Sequence, residues 1–301
     1  MTMDSGHVER LLPETREMVK KDNAARIFHI KEEKWIPYPR AEAILDQLEG
    51  LLKTPTQQRM ESVLIIGESN NGKSSLAQEF LRRHPPSDGV HTDAQPVVWI
   101  EAPPTPDEGR LYNNLLEYFL VPFKYKDIPS KKEHEVKYYL KELGTRLLII
   151  DEIHNILSGP VTKQKIFMNA LKSLNNSLHI PIVLMGIEEA QRAIGTDNQI
   201  ISRFPPLALP KWKLDPAYVS LLASIEITLP LKKPSMLASK ELAPAILDLS
   251  EGCIGDIVKL VSLAAIMAIQ TGSERISATE IKKCGFTKPS KRRITADLET
   301  A

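Results

Sequence analysis

The chain has 301 residues, of which 42% are hydrophobic and 26% are charged, as in an ordinary globular protein. Its 39 lysines and arginines nearly balance 38 aspartates and glutamates, so any contact with DNA must come from a local basic patch. The two cysteines are too few for a disulfide scaffold and lack metal-ligand spacing. Because we find no apolar signal core and no run approaching the roughly 20 residues that span a bilayer, we expect a cytoplasmic protein without membrane contact.

The predicted elements alternate between helices and short apolar strands over the first two thirds of the chain. An amphipathic helix is predicted over residues 40–53, because its apolar residues recur at helical spacing. Apolar runs of strand length then follow, separated by helical patterns, at 63–66, 96–101, 146–150, 180–185 and 207–209. This alternation predicts an α/β fold in which helices sandwich a parallel central sheet.

From residue 216 onward the strand pattern stops and only helical stretches remain, which predicts a small all-helical domain. We therefore predict an N-terminal helical segment over 1–58, a nucleotide-binding core over 59–213 and a helical lid over 214–285. Residues 286–301 are predicted to form a basic, flexible tail. Its positive charges are Lys288, Lys291, Arg292 and Arg293.

Residues 67–74 read GESNNGKS, an unbroken G-x-x-x-x-G-K-S phosphate loop between a predicted strand and a predicted helix. The amides of such a loop and the N-terminus of the following helix form a positive concavity for phosphate oxygens. We expect Lys73 to reach the β- and γ-phosphates of ATP and the Ser74 hydroxyl to bind Mg²⁺. The predicted ATP-binding residues of this segment are Gly67, Glu68, Ser69, Asn70, Asn71, Gly72, Lys73, Ser74 and Ser75.

Two carboxylates, Asp151 and Glu152, directly follow the apolar run that ends at residue 150. An acidic residue at the carboxyl end of a parallel strand next to the phosphate-loop strand can hold Mg²⁺, so Asp151 is a predicted metal ligand together with Ser74. A second carboxylate beside it can polarise the attacking water, which makes Glu152 the predicted general base. The sequence therefore predicts an ATPase with Lys73 in the catalytic centre.

Three motifs together resemble those of AAA+ ATPases: the phosphate loop, the run LLIIDEIHN at 147–155 and ISRF at 201–204. More narrowly, the layout is similar to the TniB/TnsC family of transposon ATPases, most of all to TniB. The resemblance covers about residues 20–285. It implies an AAA+ P-loop fold with a helical lid, and it implies that Arg203 is an arginine finger for ATP in a neighbouring subunit. From the residue alone, an arginine that caps a helix or pairs with a carboxylate is an equal alternative.

The resemblance is incomplete at two positions and ambiguous at a third. Met185 and Gly186 stand where AAA+ proteins usually place a polar sensor residue after the fourth strand, and no arginine appears near Asp256, where a second sensor is usual. These departures favour slow hydrolysis that depends on assembly. Tyr38 resembles a residue that packs on adenine in related ATPases, but a hydrophobic staple at the start of the 40–53 helix explains it equally well.

The resemblance also implies a function. It predicts a regulator of transposition that forms ATP-bound rings or filaments on double-stranded DNA and links a TniQ-like target selector to a transposase. Lysines between the second and third strands are candidates for sequence-neutral phosphate contacts, or for an ordinary solvated face; they are Lys124, Lys126, Lys131 and Lys132. Two alternatives stay open: an initiator-like or helicase-loading replication ATPase, and an ATPase switch that binds only proteins.

Overall fold

The structure, a computed structural model, describes residues 4–87, 94–194 and 202–292. These residues form two compact units: a sheet unit over 40–210, and a helical unit made of 4–39 together with 211–292. This division differs from the predicted boundaries, because residues 40–58 belong to the sheet unit. The helix at 39–53 buries six apolar side chains, and its polar side chains also contact the sheet unit. Arg40 donates to the carbonyl of Ala208 at 2.9 and 3.0 Å, and Glu42 pairs with Arg83 at 2.9 Å.

The sheet unit contains five parallel strands in the spatial order β2-β3-β4-β1-β5. Their bounds are β1 Val63–Gly67, β2 Val97–Glu101, β3 Leu147–Asp151, β4 Ile182–Gly186 and β5 Pro206–Leu209. Every residue of β1, β3 and β4 is buried, as expected for inner strands that helices cover on both faces. The predicted α/β fold with a parallel central sheet is confirmed.

Six α-helices and one 3₁₀ helix connect and cover these strands in the described part of the sheet unit. Their bounds are α4 Pro39–Lys53, α5 Lys73–Arg83, α6 Glu108–Tyr118, α7 Pro129–Glu142, the 3₁₀ helix Ile153–Ser158, α8 Val161–Leu178 and α9 Glu188–Ile194. Alternate residues of β1 to β4 share one core with α6, α7 and α8, because successive side chains of a strand point to opposite faces. This packing fixes the strand ends, where the phosphate loop and Asp151 lie.

The helical unit is built around one long apolar helix. Its elements are α1 Ser5–Val8, α2 Pro13–Val19, α3 Asn23–Lys31, α10 Pro216–Glu226, α11 Leu242–Ser250, α12 Ile254–Thr271 and α13 Ala278–Lys283. Helix α12 packs against α3, α11 and α13. It is apolar and long enough to cross a membrane, but it carries Asp256 and Lys259 and its apolar residues fill the core of this unit. We therefore interpret α12 as a core helix.

A buried ion pair joins the N-terminal helices to the C-terminal part of the helical unit. Arg26 of α3 is fully buried, and its guanidinium binds the carboxylate of Glu274, with one oxygen at 3.0 Å, and the carbonyl of Pro230 at 2.7 and 2.9 Å. All the donors of a guanidinium need partners once it is buried, because an unpaired buried charge is costly. Arg26 thus explains why residues before 39 fold with residues after 211.

Residues 286–292 are docked on the helical unit, whereas the sequence predicted that they begin a flexible tail. Lys288 pairs with Asp248 at 2.7 Å and Arg292 with Asp256 at 2.6 Å, so acidic side chains of α11 and α12 hold the basic segment. The Ser290 amide also donates to the carboxylate of Glu251 at 3.2 Å. Arg293 and the residues after it lie outside the described residues.

Candidate nucleotide site

The phosphate loop connects the end of β1 at Gly67 with the start of α5 at Lys73. Two of its residues have left-handed backbone conformations, with φ of 60° at Asn70 and 85° at Gly72. Glycine adopts such a conformation without the steric cost that a side chain brings, so Gly72 suits the tight entry into α5. Glu68, Ser69 and Asn70 are exposed, as are Ser74 and Ser75 at the start of the helix.

The loop rests against the end of β5. A Cβ atom at Gly67 would lie 3.0 Å from both the Cβ and the carbonyl oxygen of Leu209, so no larger residue fits without a shift. Asn71 is 3% exposed, and its Nδ2 donates to the carbonyl oxygens of Leu209 at 2.7 Å and Pro210 at 3.3 Å. Asn71 was predicted only as one of the ATP-binding residues of the motif. The structure places its side chain against β5, where it holds the loop in position.

Lys73 is buried at the start of α5, and its ammonium is bound by the phosphate loop itself. Its Nζ donates to the carbonyl oxygens of Gly67 and Glu68, each at 2.9 Å. These contacts keep a positive charge beside the loop amides and the N-terminus of α5, where phosphate oxygens bind in such motifs. The arrangement is the one expected if Lys73 contacts the phosphates of ATP.

Ser74 and Asp151, predicted as metal ligands, lie in direct contact. The Ser74 hydroxyl donates to Oδ2 of Asp151 at 2.6 Å, although 77 residues separate them in the chain. The sequence predicted that the strand of Asp151 lies next to the phosphate-loop strand, but β4 lies between β3 and β1. The contact still forms, because the carboxyl ends of parallel strands meet at one edge of the sheet. A hydroxyl and a carboxylate are hard oxygen ligands of the kind that Mg²⁺ prefers, so the pair fits the predicted ion.

Glu152 lies beside this pair in a left-handed conformation, with φ of 55°. Its amide donates to Oδ1 of Asp151 at 2.7 Å, and its carboxylate lies 3.1 Å from Nε2 of His154. The other ring nitrogen of His154 is buried and has no hydrogen-bond partner among the described residues. The sequence alone did not indicate the contact between Glu152 and His154, although His154 stands two residues after Glu152.

The apolar residues at the end of β4 have a steric explanation. A Cβ atom at Gly186 would lie 2.8 Å from Cγ2 of Ile153 and 3.1 Å from Cβ of Ala190. The first distance is too short for any side chain, since β4 packs directly against the 3₁₀ helix and α9. Met185, the preceding residue, is fully buried. A polar sensor residue therefore has no room at Gly186.

Arg203 lies near the amino ends of the parallel strands, whereas the phosphate loop follows the carboxyl end of β1. It precedes β5, whose first residue, Pro206, pairs with Leu64 near the start of β1. Its Nη1 donates to the side chains of Asn176, at 2.8 Å, and Asn175, at 3.4 Å, in the last turn of α8. The five residues of β1 span roughly 15 Å at about 3.3 Å per residue. Arg203 therefore lies too far from the loop of its own chain to contact a nucleotide there.

Tyr38 belongs to an aromatic cluster within the helical unit. Its ring stacks on Trp35 with centroids 6.5 Å apart and meets the ring of Trp212 edge-on at 5.0 Å. Tyr38 is 9% exposed, so these contacts account for its burial. Contact with adenine stays a prediction for this residue, as does the alternative of a hydrophobic staple.

The four lysines predicted to contact DNA have different environments. Lys124 and Lys126 are exposed on the segment between α6 and α7. Lys131 is also exposed but pairs with Asp127 at 2.8 Å. Lys132 is only 3% exposed and belongs to α7. The prediction of a surface contact with DNA therefore needs correction at Lys132, because the α6–α7 packing buries its side chain.

Comparisons with known proteins identify the family and the fold of the chain. A family model described as "Bacterial TniB protein" matches residues 26–214. No curated protein matches the chain at a significant level. Among solved structures, the ORC2 protein of Aeropyrum pernix is similar with a TM-score of 0.62 and 17% identity, over 85% of this chain and 70% of that one.

Two further solved structures have the same fold. Cdc6p of Pyrobaculum aerophilum aligns with a TM-score of 0.59 and 14% identity, over 88% of this chain and 70% of that one. The Walker-type ATPase of Pyrococcus abyssi aligns with a TM-score of 0.56 and 16% identity, over 90% of this chain and 79% of that one. At these identities the likeness shows the fold, and it is the AAA+ fold that the motifs predicted.

Proposed function

The chain belongs to the bacterial TniB family, and on that premise we propose that it is an ATPase that regulates DNA transposition. The observation that carries the proposal is the 2.6 Å contact between the Ser74 hydroxyl and Asp151. It brings the predicted Mg²⁺ ligands together beside Lys73, and Glu152 follows Asp151 directly. Mg²⁺ bound there would neutralise charge on the phosphates, while Glu152 would polarise the attacking water.

The position of Arg203 supports hydrolysis at an interface between subunits. Its guanidinium lies at the sheet edge away from the phosphate loop, and side-chain amides of α8 hold it near the surface. A guanidinium stabilises the charge that spreads over the transferring phosphoryl oxygens. If Arg203 acts in this way, it acts on ATP bound to a neighbouring copy, and turnover requires an oligomer.

We further propose that the oligomer assembles as a ring or filament on double-stranded DNA. The exposed side chains of Lys124 and Lys126 support this part, because lysines bind phosphates without reading bases. In this role the ATP-bound assembly would link a TniQ-like target selector to a transposase, and hydrolysis would clear or redistribute it.

Mixing two inactive variants tests the role of Arg203. Arg203→Ala keeps its own phosphate loop and Glu152 but cannot supply a finger, whereas Glu152→Gln keeps the finger but lacks the base. Each variant alone is expected to lack ATPase activity on duplex DNA, and the mixture is expected to regain it. Arg59→Ala is the matched control, because Arg59 lies nearby and donates to Ser202 at 2.9 Å. A mixture that stays inactive would show that Arg203 does not act in trans.

Electron microscopy tests the assembly itself. With duplex DNA and a non-hydrolysable ATP analogue, the wild-type chain is expected to coat the DNA as rings or filaments. Lys73→Ala is expected to give none, because it cannot bind the analogue. Isolated wild-type monomers under these conditions would refute the proposed function, even if the protein bound ATP.

A further inference from the structure

Apart from the nucleotide site, the sheet unit contains a cleft of about 540 Å³. It is bounded by the segment after β2, by helix α6 and by the start of α7. Its size falls within the roughly 300–1,000 Å³ of typical ligand pockets. Its lining includes charged and amide side chains, among them Asp107, Arg110, Asn113, Glu117, Asp127 and Lys132. None of them belongs to the phosphate loop or to β3.

The cations of this cleft have no carboxylate partner among the described residues. Lys132 is 3% exposed; its Nζ donates to the carbonyl of Tyr125 at 3.0 Å and lies 5.9 Å from the centre of the Phe123 ring. Neither Lys132 nor the exposed Arg110 forms an ion pair within 4.0 Å in the part of the chain that the structure describes. A buried ammonium without a counter-ion is costly, which favours an anion as its partner.

The carboxylates of the cleft are already engaged by donors of this chain. Asp107 accepts a hydrogen bond from the backbone amide of Arg110 at 2.9 Å, as the N-cap of α6. Glu117 accepts from the Tyr125 hydroxyl at 3.2 Å, and Asp127 pairs with Lys131 at 2.8 Å. Asp127 is thus neutralised by an ion pair, while Asp107 and Glu117 each accept one hydrogen bond and balance the charges of Arg110 and Lys132 over the whole cleft.

Asn113 adds one acceptor to the cleft. It is 8% exposed, and its Oδ1 is buried without a hydrogen-bond partner in the described residues. A buried acceptor left unsatisfied costs about 1–3 kcal/mol, so a ligand that donates to Oδ1 would remove a penalty. A ligand with both an anionic group and an N–H donor would therefore pair with the two cations and also satisfy Oδ1 of Asn113.

We propose that this cleft docks a short peptide segment of a partner protein through an aspartate or glutamate side chain. The carboxylate binds Lys132 and Arg110, and a peptide N–H donates to Oδ1 of Asn113. The inference goes beyond the proposed function, which requires protein partners but assigns them no docking site. It also stands apart from nucleotide turnover, because peptide binding can be measured without ATP.

A DNA backbone fits the cleft less well than such a peptide. Phosphodiesters offer acceptors but no donors, so they leave Oδ1 of Asn113 unsatisfied. A duplex that runs over the surface can reach the exposed Lys124 and Lys126, whereas the side chain of Lys132 is almost wholly buried.

The test begins with a random heptapeptide library displayed on phage and selected on the full-length protein. Aspartate or glutamate is expected to be enriched at one position of the binders. A labelled binder is then measured by fluorescence anisotropy. Lys132→Met, which keeps the apolar part of the side chain, is expected to weaken peptide binding at least tenfold. Arg110→Gln, at the exposed rim of the cleft, is expected to weaken it at least threefold. Replacing the acid of the peptide by its amide is expected to weaken binding to the wild type more than binding to Lys132→Met, in which only Arg110 still contacts the acid.

Lys126→Met is the matched control, because it removes a neighbouring lysine charge outside the cleft, and its affinity for the peptide is expected to stay within twofold. Thermal unfolding checks that Lys132→Met folds, and the exposed Arg110 serves as an independent test if it does not. Selection without acidic enrichment, or equal losses for Lys132→Met and Lys126→Met, would overturn the proposal. So would a 20-bp duplex whose affinity depends more on Lys132 than on Lys124 and Lys126.

Discussion

The side chain of Asn71 gives the sharpest test of how this structure positions the phosphate loop. The perturbation is Asn71→Ala, which removes the amide that donates to the carbonyls of Leu209 and Pro210. The backbone amides that face the phosphates and the side chain of Lys73 stay in the chain. Any loss of ATP affinity then reports the position of the loop rather than a missing ligand contact.

The expected magnitude follows from the burial of this contact. The 2.7 Å bond to Leu209 lies in the interior, and a buried acceptor that loses its donor costs about 1–3 kcal/mol. If that cost falls on the loop conformation that binds phosphate, ATP affinity weakens about 5- to 150-fold, since each 1.4 kcal/mol is tenfold. Asn71→Asp is expected to weaken binding at least as much, because a carboxylate would face the two carbonyl oxygens without a proton to donate.

The assay is a titration of each variant with a fluorescent ATP analogue, accompanied by thermal unfolding without nucleotide. Ser69→Ala is the matched control, because Ser69 is exposed and its predicted part in ATP binding is that of a backbone amide, which the substitution keeps. Its affinity is expected to stay within about twofold of the wild type. Wild-type affinity in Asn71→Ala would refute the reasoning. A lower melting temperature with unchanged affinity would assign Asn71 to stability alone.

Three further predictions concern the catalytic base, the DNA contact and the helical unit. Glu152→Gln is expected to bind ATP normally, to lose turnover at least a hundredfold and to remain assembled on DNA, as light scattering after ATP addition would report. Replacing both Lys124 and Lys126 by Gln is expected to lower the slope of log Kd against log salt by about 1.8, or 0.9 for each phosphate contact; an unchanged slope contradicts the contact. Arg26→Met is expected to destabilise the protein in urea by about 3 kcal/mol at pH 7, because the buried carboxylate of Glu274 loses its guanidinium partner and keeps only Lys232, whose amide donates to it at 3.3 Å and whose Nζ lies 3.5 Å from Oε1. Burial alone would raise the pKa of Glu274, but Arg26 holds it below the ordinary value of 4.5, so this deficit should shrink as the pH falls below that value.

The parts of the site that the sequence predicted are those that short contiguous motifs encode. The phosphate loop and the Asp151–Glu152 pair each join one strand to the next element, so a few residues carry both the local fold and the chemistry. Their meeting was also predictable, because parallel strands present their carboxyl ends at one edge. The contact between Ser74 and Asp151 agrees with that expectation.

The parts that the sequence did not predict depend on tertiary packing. Asn71 contacts residues 138 and 139 positions away, and no local pattern distinguishes it from the exposed Asn70 beside it. Lys132 was grouped with exposed lysines, because a pattern of charged residues does not show which face of a helix is buried against neighbouring helices. Arg26 finds its partner 248 residues later, which no window of helical periodicity can reveal.

The division of the chain into units also bears on how the protein folds during synthesis. The sheet unit is inserted between the two parts of the helical unit, so α3 leaves the ribosome long before Glu274 is made. At about 5–20 residues per second, the 248 residues between Arg26 and Glu274 take roughly 12–50 s to translate. During that interval the N-terminal helices lack the partner that neutralises Arg26, while the sheet unit can already fold. The helical unit can therefore complete its folding only after the sheet unit has been synthesised. A nascent chain that stalls before residue 274 would have a complete phosphate loop and Asp151–Glu152 pair, but its N-terminal helices would still lack Glu274 as the partner of Arg26.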